Sequence, residues 1–211
     1  MAPSVEDLAP ASDRLAGLLQ HPGLWRGRSL AQTATLPTGY PALDAALPGG
    51  GWPQSGITEI LIPRHGVGEL QLLMPALAML THLEPARWCT FIAPPFEAFA
   101  PALHAQGLKL ERLLMVRTDK PLWVLEQALV SGACQIALAW VGHADTRSLR
   151  RLGLATQRAG TYAVLFRPLS AAHMASPAAL RLTLESREQG LRLRLIKSRG
   201  GARHAVDVPL P

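Results

Sequence analysis

The stretch GITEILIPRHGVGELQLL, residues 56–73, decides the fold: an apolar run, a short glycine-bearing turn, then a second apolar segment at helical spacing. In that order a strand of a parallel sheet delivers the chain, through a tight loop, to the start of a helix. A phosphate-binding loop of this kind reads G-x-x-x-x-G-K-[ST]: backbone N–H groups cradle the phosphates, the lysine meets their charge and the hydroxyl ligates magnesium. Here the matching positions are Pro63, Gly68, Glu69 and Leu70, with Gly66 a second glycine inside the turn. The glycines can preserve the backbone turn, but the side-chain chemistry is gone. A carboxylate about 4 Å from a phosphate charge repels it by roughly 4 kcal/mol at an effective dielectric near 20. Leucine cannot ligate magnesium. A carboxylate in the first turn of a helix is favoured by the helix dipole, so Glu69 is expected in the niche a phosphate would fill.

Working outward, short and nearly continuous apolar runs at 57–62, 88–92, 113–116, 135–141 and 162–166 read as strands covered on both faces. Helical stretches are predicted between them at 69–80, 96–106, 121–130 and 146–159. This alternation implies right-handed crossovers and a mostly parallel α/β sheet with helices on both faces. The tail changes period: 180–185 and 191–198 alternate around a turn containing Gly190, predicting an antiparallel hairpin at one edge with Arg192, Arg194 and Lys197 outward. Residues 1–20 suggest a short amphipathic helix, and a loop-like arm follows, with Trp25 between Arg26 and Arg28. Such an arm either covers the core or docks on a partner through Trp25. The expected organisation is an N-terminal helix and arm over 1–35, a core over 36–200 and a tail over 201–211.

Composition narrows the class. With 48% hydrophobic and 17% charged residues, 211 residues can bury one substantial core. No apolar run reaches the length of a membrane span, since Pro75, Thr81 and His82 break the longest candidates, and the N-terminus lacks a basic leader with an apolar signal core. A cytoplasmic protein is expected. Cys89 and Cys134 fall in predicted strands and read as free buried thiols in a reducing compartment. The seven histidines show no metal-ligand spacing, and no cofactor is expected. The net charge is +6, and of the 21 basic residues only Lys109, Lys120 and Lys197 are lysines. Arginine favours planar contacts to phosphate or carboxylate, which leaves nucleic acid and an acidic protein partner both open.

The segment LPTGYPALDAALPGGGWPQSGITEI, residues 36–60, resembles the lead-in to the RecA core, T-G-x-x-x-L-D-x-A-L-x-x-G-G-x-P. Thr38, Gly39, Leu43, Asp44, Ala46, Leu47, Gly50, Gly51 and Pro53 stand at those positions. In RecA-like ATPases a glutamate after the second strand activates water; here Pro94 and Pro95 occupy that corner. Where an acidic residue should close the later strand, this chain has Ala139 and Trp140. The resemblance therefore implies a RecA-like fold with a degenerate phosphate loop and no ATP hydrolysis, a non-enzyme. The short connections GHADTRS and RPLSAAHMASPAAL leave little room for loops that would line a DNA filament.

Two non-ATPase relatives share these losses. SulA, the SOS cell-division inhibitor, resembles this chain over roughly residues 57–180, including SGACQIALAW and FRPLSAAHMAS. The ImuA family, SOS-induced accessory proteins of translesion DNA synthesis, resembles nearly the whole chain; LWRGR, LPTGYPALDAALPGGGWP and GLRLRLIKSRGG are the segments that separate it from SulA. The ImuA resemblance implies binding to ImuB, through it support of an error-prone DNA polymerase, contact with RecA, and association with the nucleoid when DNA is damaged. The SulA alternative implies binding to FtsZ. An ATPase with an altered phosphate loop is the third class.

Two basic surfaces are candidates for partner or DNA contact. In DTRSLRRLGLATQRAG, helical spacing gathers Arg147, Arg151 and Arg158 within about 40° of each other, with Arg150 beside them and Leu149, Leu152, Ala155 and Ala159 opposite. Arg192, Arg194, Lys197, Arg199 and Arg203 form the second cluster. Each reads as a solvated face, as a surface for an acidic protein, or as a weak non-specific contact to the DNA backbone. His143, Asp145 and Ser148 lie close in sequence but lack the nucleophile turn and orienting group of a hydrolase triad. Trp123 is expected in core packing.

Overall fold

The structure is a computed structural model and describes residues 34–54, 56–198 and 204–210. Trp25, Arg199 and Arg203 lie outside the described residues, as do residues 1–33 of the expected N-terminal helix and arm, whose last residue, Thr35, opens a strand.

Five parallel pairings build the centre of the sheet. β3 (Ile57–Ile62) lies between β7 (Tyr162–Pro168) and β8 (Leu180–Arg187); beyond β7 come β6 (Cys134–Trp140), β4 (Trp88–Ile92) and β5 (Leu113–Val116). On the other side β9 (Gly190–Ser198) and β10 (Ala205–Pro209) continue the sheet antiparallel, giving the eight-stranded order β10-β9-β8-β3-β7-β6-β4-β5. β1 (Thr35–Leu36) and β2 (Trp52–Pro53) form a separate two-stranded antiparallel ladder flanking α1 (Pro41–Ala46). The hairpin expected at 180–185 and 191–198 is thus longer, and the expected tail over 201–211 carries a third antiparallel strand. Val208 is buried and Asp207 between it and Val206 points to solvent, the alternation of a half-covered strand.

The helices alternate with the strands: α2 (Met74–Thr81), α3 (Ala100–Ala105), α4 (Pro121–Val130) and α5 (Thr146–Ala159). Two start later than their sequence pattern. Over 69–80 a 3₁₀ turn, Gln71–Leu73, precedes α2, and over 96–106 only six residues are α-helical. In both, a proline stands in the first α-turn, Pro75 and Pro101, where its missing N–H costs nothing. α5 is closed at both ends: Asp145 accepts the Ser148 N–H at 2.8 Å, and Gly160 ends it at φ +59°.

Side chains alternate across the pleat, so each strand feeds two cores. On one face Ile60, Phe91, Leu138, Trp140, Phe166 and Leu182 pack with α1, α2 and the antiparallel strands. On the other, Ala139, Val141, Ala163 and Leu165 meet Leu125 and Leu129 of α4 and Leu149 and Leu152 of α5.

The run 57–62, read as apolar, carries one buried charge. Glu59 is wholly buried; its Oε1 accepts Arg167 Nη1 at 2.7 Å and its Oε2 accepts Arg181 Nε at 2.6 Å. Three further donors reach backbone carbonyls, Arg167 Nη2 to Ala144 at 3.2 Å, Arg181 Nη1 to Met174 at 3.0 Å and Nη2 to Ala171 at 2.7 Å, while Arg167 Nε is buried without a partner among the described residues. One carboxylate thereby ties three adjacent strands to the connections that leave β6 and β7.

Candidate functional site

The turn 63–70 is built as an anion niche, and the chain fills it. Gly66 at φ +77° and Gly68 at φ +99° give a backbone path that side-chain-bearing residues rarely follow. The Gly66 N–H donates to Glu69 Oε1 and the Val67 N–H to Glu69 Oε2, each at 2.9 Å. Glu69 is 4% exposed and Val67 is buried, while Gly66 stands at the exposed rim of the turn. Pro63 is exposed, while Leu70 turns into the core behind the niche. The carboxylate expected in a phosphate's place accepts N–H groups of the turn.

Two other parts of the chain lock this turn. A β-carbon on Gly68 would stand 2.9 Å from Leu191 Cδ2 and 3.6 Å from Leu210 Cδ1, so the C-terminal strands cover it directly. From the N-terminal side, Tyr40 Oη donates to the Gln71 carbonyl at 3.1 Å, and burial pushes the Tyr40 phenol above its ordinary pKa. The lead-in motif is its own scaffold: the Thr38 N–H donates to Asp44 Oδ1 at 2.8 Å, the Tyr40 N–H donates to Thr38 Oγ1 at 3.1 Å, and Leu43 is fully buried.

Ala139 and Trp140 end β6 inside the core. Trp140 stacks on Phe166 with ring centroids 4.7 Å apart and meets Phe91 edge-on at 6.1 Å. After β4 the chain turns through Ala93 at φ +50°, ahead of Pro94 and Pro95. Cys89 and Cys134 are free and buried, and burial with Cys134 nearby pushes the Cys89 thiol up to about 12. Among the described residues no three His, Cys, Asp or Glu side chains are grouped to hold a metal ion, and no helix is long and apolar enough to cross a membrane. Asp145 and Ser148 form the helix cap: the Ser148 N–H and then its hydroxyl, at 2.7 Å, hold the Asp145 carboxyl below the usual carboxylate range.

The two basic clusters differ. Arg147, Arg150, Arg151 and Arg158 are all exposed along α5 as the spacing predicts, and only Arg151 is paired there, at 2.7 Å from Glu126 Oε1 of α4. In the hairpin, Arg192 stands between Glu185 and Asp207 in the strand register, 3.7 Å from the latter, and Lys197 Nζ donates to the Ser176 carbonyl at 2.7 Å. Arg194 alone of the described cluster has no partner. The neighbouring carboxylates lower the positive potential a phosphate backbone would meet there.

Sequence reasoning missed a groove between the C-terminal halves of α4 and α5. It encloses about 460 Å³ and is lined by Glu126, Val130, Arg151, Leu154, Ala155 and Arg158, among others. Trp123, expected in the core, is 60% exposed on the same face of α4 as Glu126 and Val130. The mean apolarity of PLWVLEQAL suggested burial, but only Leu125 and Leu129 of α4 are fully buried.

These elements define a mixed α/β protein with a largely parallel eight-stranded sheet, an antiparallel wing and a filled anion niche. No protein-family model matches the chain. It is similar to the cell division inhibitor SulA of Yersinia enterocolitica, 26% identical over 117 residues, and to SulA of Yersinia pestis at 27%; both matches span 54% of this chain and 68% of the relative. The crystal structure of SulA from Pseudomonas aeruginosa superposes on 53% of this chain and 97% of its own, at 27% identity and a TM-score of 0.44. Similarity to SulA over half the chain supports the SulA expectation more directly than the ImuA one.

Proposed function

We infer that the chain is a non-catalytic interaction protein of the DNA-damage response, an accessory of translesion synthesis of the ImuA kind on a SulA-like centre. The observation that carries this reading is the closed niche: Glu69 takes the amides of Gly66 and Val67, and Leu191 and Leu210 cover Gly68. A RecA-like scaffold so arranged has its nucleotide corner spent on its own stability, and its surfaces are left for partners. The lead-in 36–53 and the C-terminal strands are the segments in which the chain resembles ImuA and not SulA, and the SulA match covers 54% of the chain. Those two blocks are also the ones that lock the turn. The partners are then ImuB and, through it, an error-prone polymerase, with RecA and the DNA backbone as weaker contacts, in the cytoplasm. Pull-down of ImuB from the same genome by the full chain tests this; no association at micromolar concentrations removes it.

The second reading is a division inhibitor that binds FtsZ, favoured by the 26–27% identity to SulA. Overproduction in undamaged cells separates the two, since filamentation supports the inhibitor.

A further inference from the structure

We propose that the groove between α4 and α5 is the docking site for an acidic amphipathic segment of another protein, its apolar side chains seated between Val130 and Leu154 and its carboxylates on the arginines of α5. The proposal rests on the reading of the chain as an interaction protein and names the surface such a protein would use.

Three observations converge on it. Val130 and Leu154, which line the groove, are 70% and 55% exposed, and Trp123 extends the same face of α4 at 60%. Large apolar side chains this open on two adjacent helices are what a partner helix covers at i, i+3, i+4 and i+7. Second, the groove is set in place beforehand. Arg87 Nε donates to the Gly132 carbonyl at 3.0 Å and Arg87 Nη2 to the Ala159 carbonyl at 3.2 Å, so one guanidinium joins the C-terminal ends of both helices. A surface held this way loses little entropy when it binds.

Charge chooses the occupant. The fourteen residues of α5 include Arg147, Arg150, Arg151 and Arg158 and no carboxylate. Glu126 engages Arg151 alone; Arg158 lines the groove without an ion-pair partner among the described residues, and Arg147 and Arg150 continue the exposed arginine strip toward the start of α5. Carboxylates on the incoming segment meet them in planar geometry, whereas a basic segment would be repelled. A volume of about 460 Å³ accommodates the side chains of a short helix, not a folded domain.

The test uses the ¹⁵N-labelled full chain and two synthetic peptides of about 15 residues, with leucine at i, i+3, i+4 and i+7 and either glutamate or lysine elsewhere. The glutamate peptide is expected to bind and to shift the amides of Val130, Leu154, Ala155 and Ala159. Arg158→Glu is expected to weaken it about tenfold, and Leu154→Glu to abolish it; both positions are exposed, so the fold tolerates them. Equal binding of the lysine peptide, shifts that map elsewhere, or indifference to both substitutions overturns the proposal. So does concentration-dependent self-association that Leu154→Glu removes, because a second copy then fills the groove. ImuB separates this claim from the functional one. If ImuB is held equally by the unaltered chain and by Leu154→Glu, the groove falls and the function stands; if ImuB is not held while the glutamate peptide still binds, the function falls and the groove stands.

Discussion

Leu191 of β9 packs directly on Gly68, with its Cδ2 2.9 Å from where a β-carbon on that glycine would stand. Residues 123 positions apart are thus mutually fitted, and the turn that follows the central strand is closed by the antiparallel wing. Gly68→Ala is expected to cost about 1–3 kcal/mol, from the φ of +99° and the overlap with Leu191. Leu191→Ala alone removes a buried side chain and costs about 2–5 kcal/mol. The double variant should lose less than the sum, because the shortened side chain admits the new methyl group. Urea denaturation of the four proteins reads this out, and strict additivity would show that the contact is not energetically coupled.

Glu69→Ala leaves the amides of Gly66 and Val67 without their acceptor, at a cost of about 1–3 kcal/mol. Glu69→Lys restores the sign of charge that a phosphate loop needs, yet Leu70 supplies no magnesium ligand and Leu191 and Leu210 still cover Gly68. Calorimetric titration of Glu69→Lys with magnesium ATP is expected to give no heat of binding at millimolar nucleotide. Magnesium-dependent binding would show that Glu69 alone closes the niche.

Glu59 carries the largest single-residue effect. Glu59→Gln leaves Arg167 and Arg181 as buried cations without a counter-charge, and about 3–5 kcal/mol of stability should disappear. Replacing the set together, as Glu59→Leu with Arg167→Met and Arg181→Met, removes the desolvated charges and should recover most of that loss. Denaturant midpoints distinguish the two outcomes; a triple variant as unstable as Glu59→Gln would show that the pairing itself, not charge balance, holds the strands.

Cys89 gives a pH dependence of definite sign. Its thiol titrates near 12 in the folded chain because burial, reinforced by Cys134, opposes the thiolate, against an ordinary value of 9.0. The folded state therefore keeps a proton that the unfolded chain releases, so the contribution is full below pH 9 and is lost as the pH rises toward 12. The alkaline loss of stability should be shallower in Cys89→Ala than in the unaltered protein. Iodoacetamide at pH 8 should leave Cys89 unmodified until denaturant is added; rapid labelling of the native chain would contradict its burial.

Much of the parallel sheet was legible because it is locally encoded. The runs 57–62, 88–92 and 113–116 match the strands in extent, but only the first is buried throughout; 113–116, expected to be covered on both faces, is the edge strand of the sheet and leaves Leu114 and Met115 exposed. The arginines of α5 were legible for the same reason: a helix shows its faces in a spacing of 3.6 residues. Glu59 was not, because nothing near it in sequence announces Arg167 and Arg181, and one charge in an apolar run looks like noise until two strands bring it partners. Trp123 was misjudged, since composition alone does not tell which side of α4 the sheet covers.

The sequence by itself determined the alternation of strand and helix, the carboxylate and apolar side chain at Glu69 and Leu70, and the arginine strip, all set by side-chain chemistry within a few residues. Only the tertiary structure decided that Glu69 folds back onto Gly66 and Val67, that Leu191 and Leu210 seal the turn, and that α4 and α5 leave a groove between them. Each of these is a meeting of distant segments, fixed by sheet order and packing, and no local pattern in the chain contains that information.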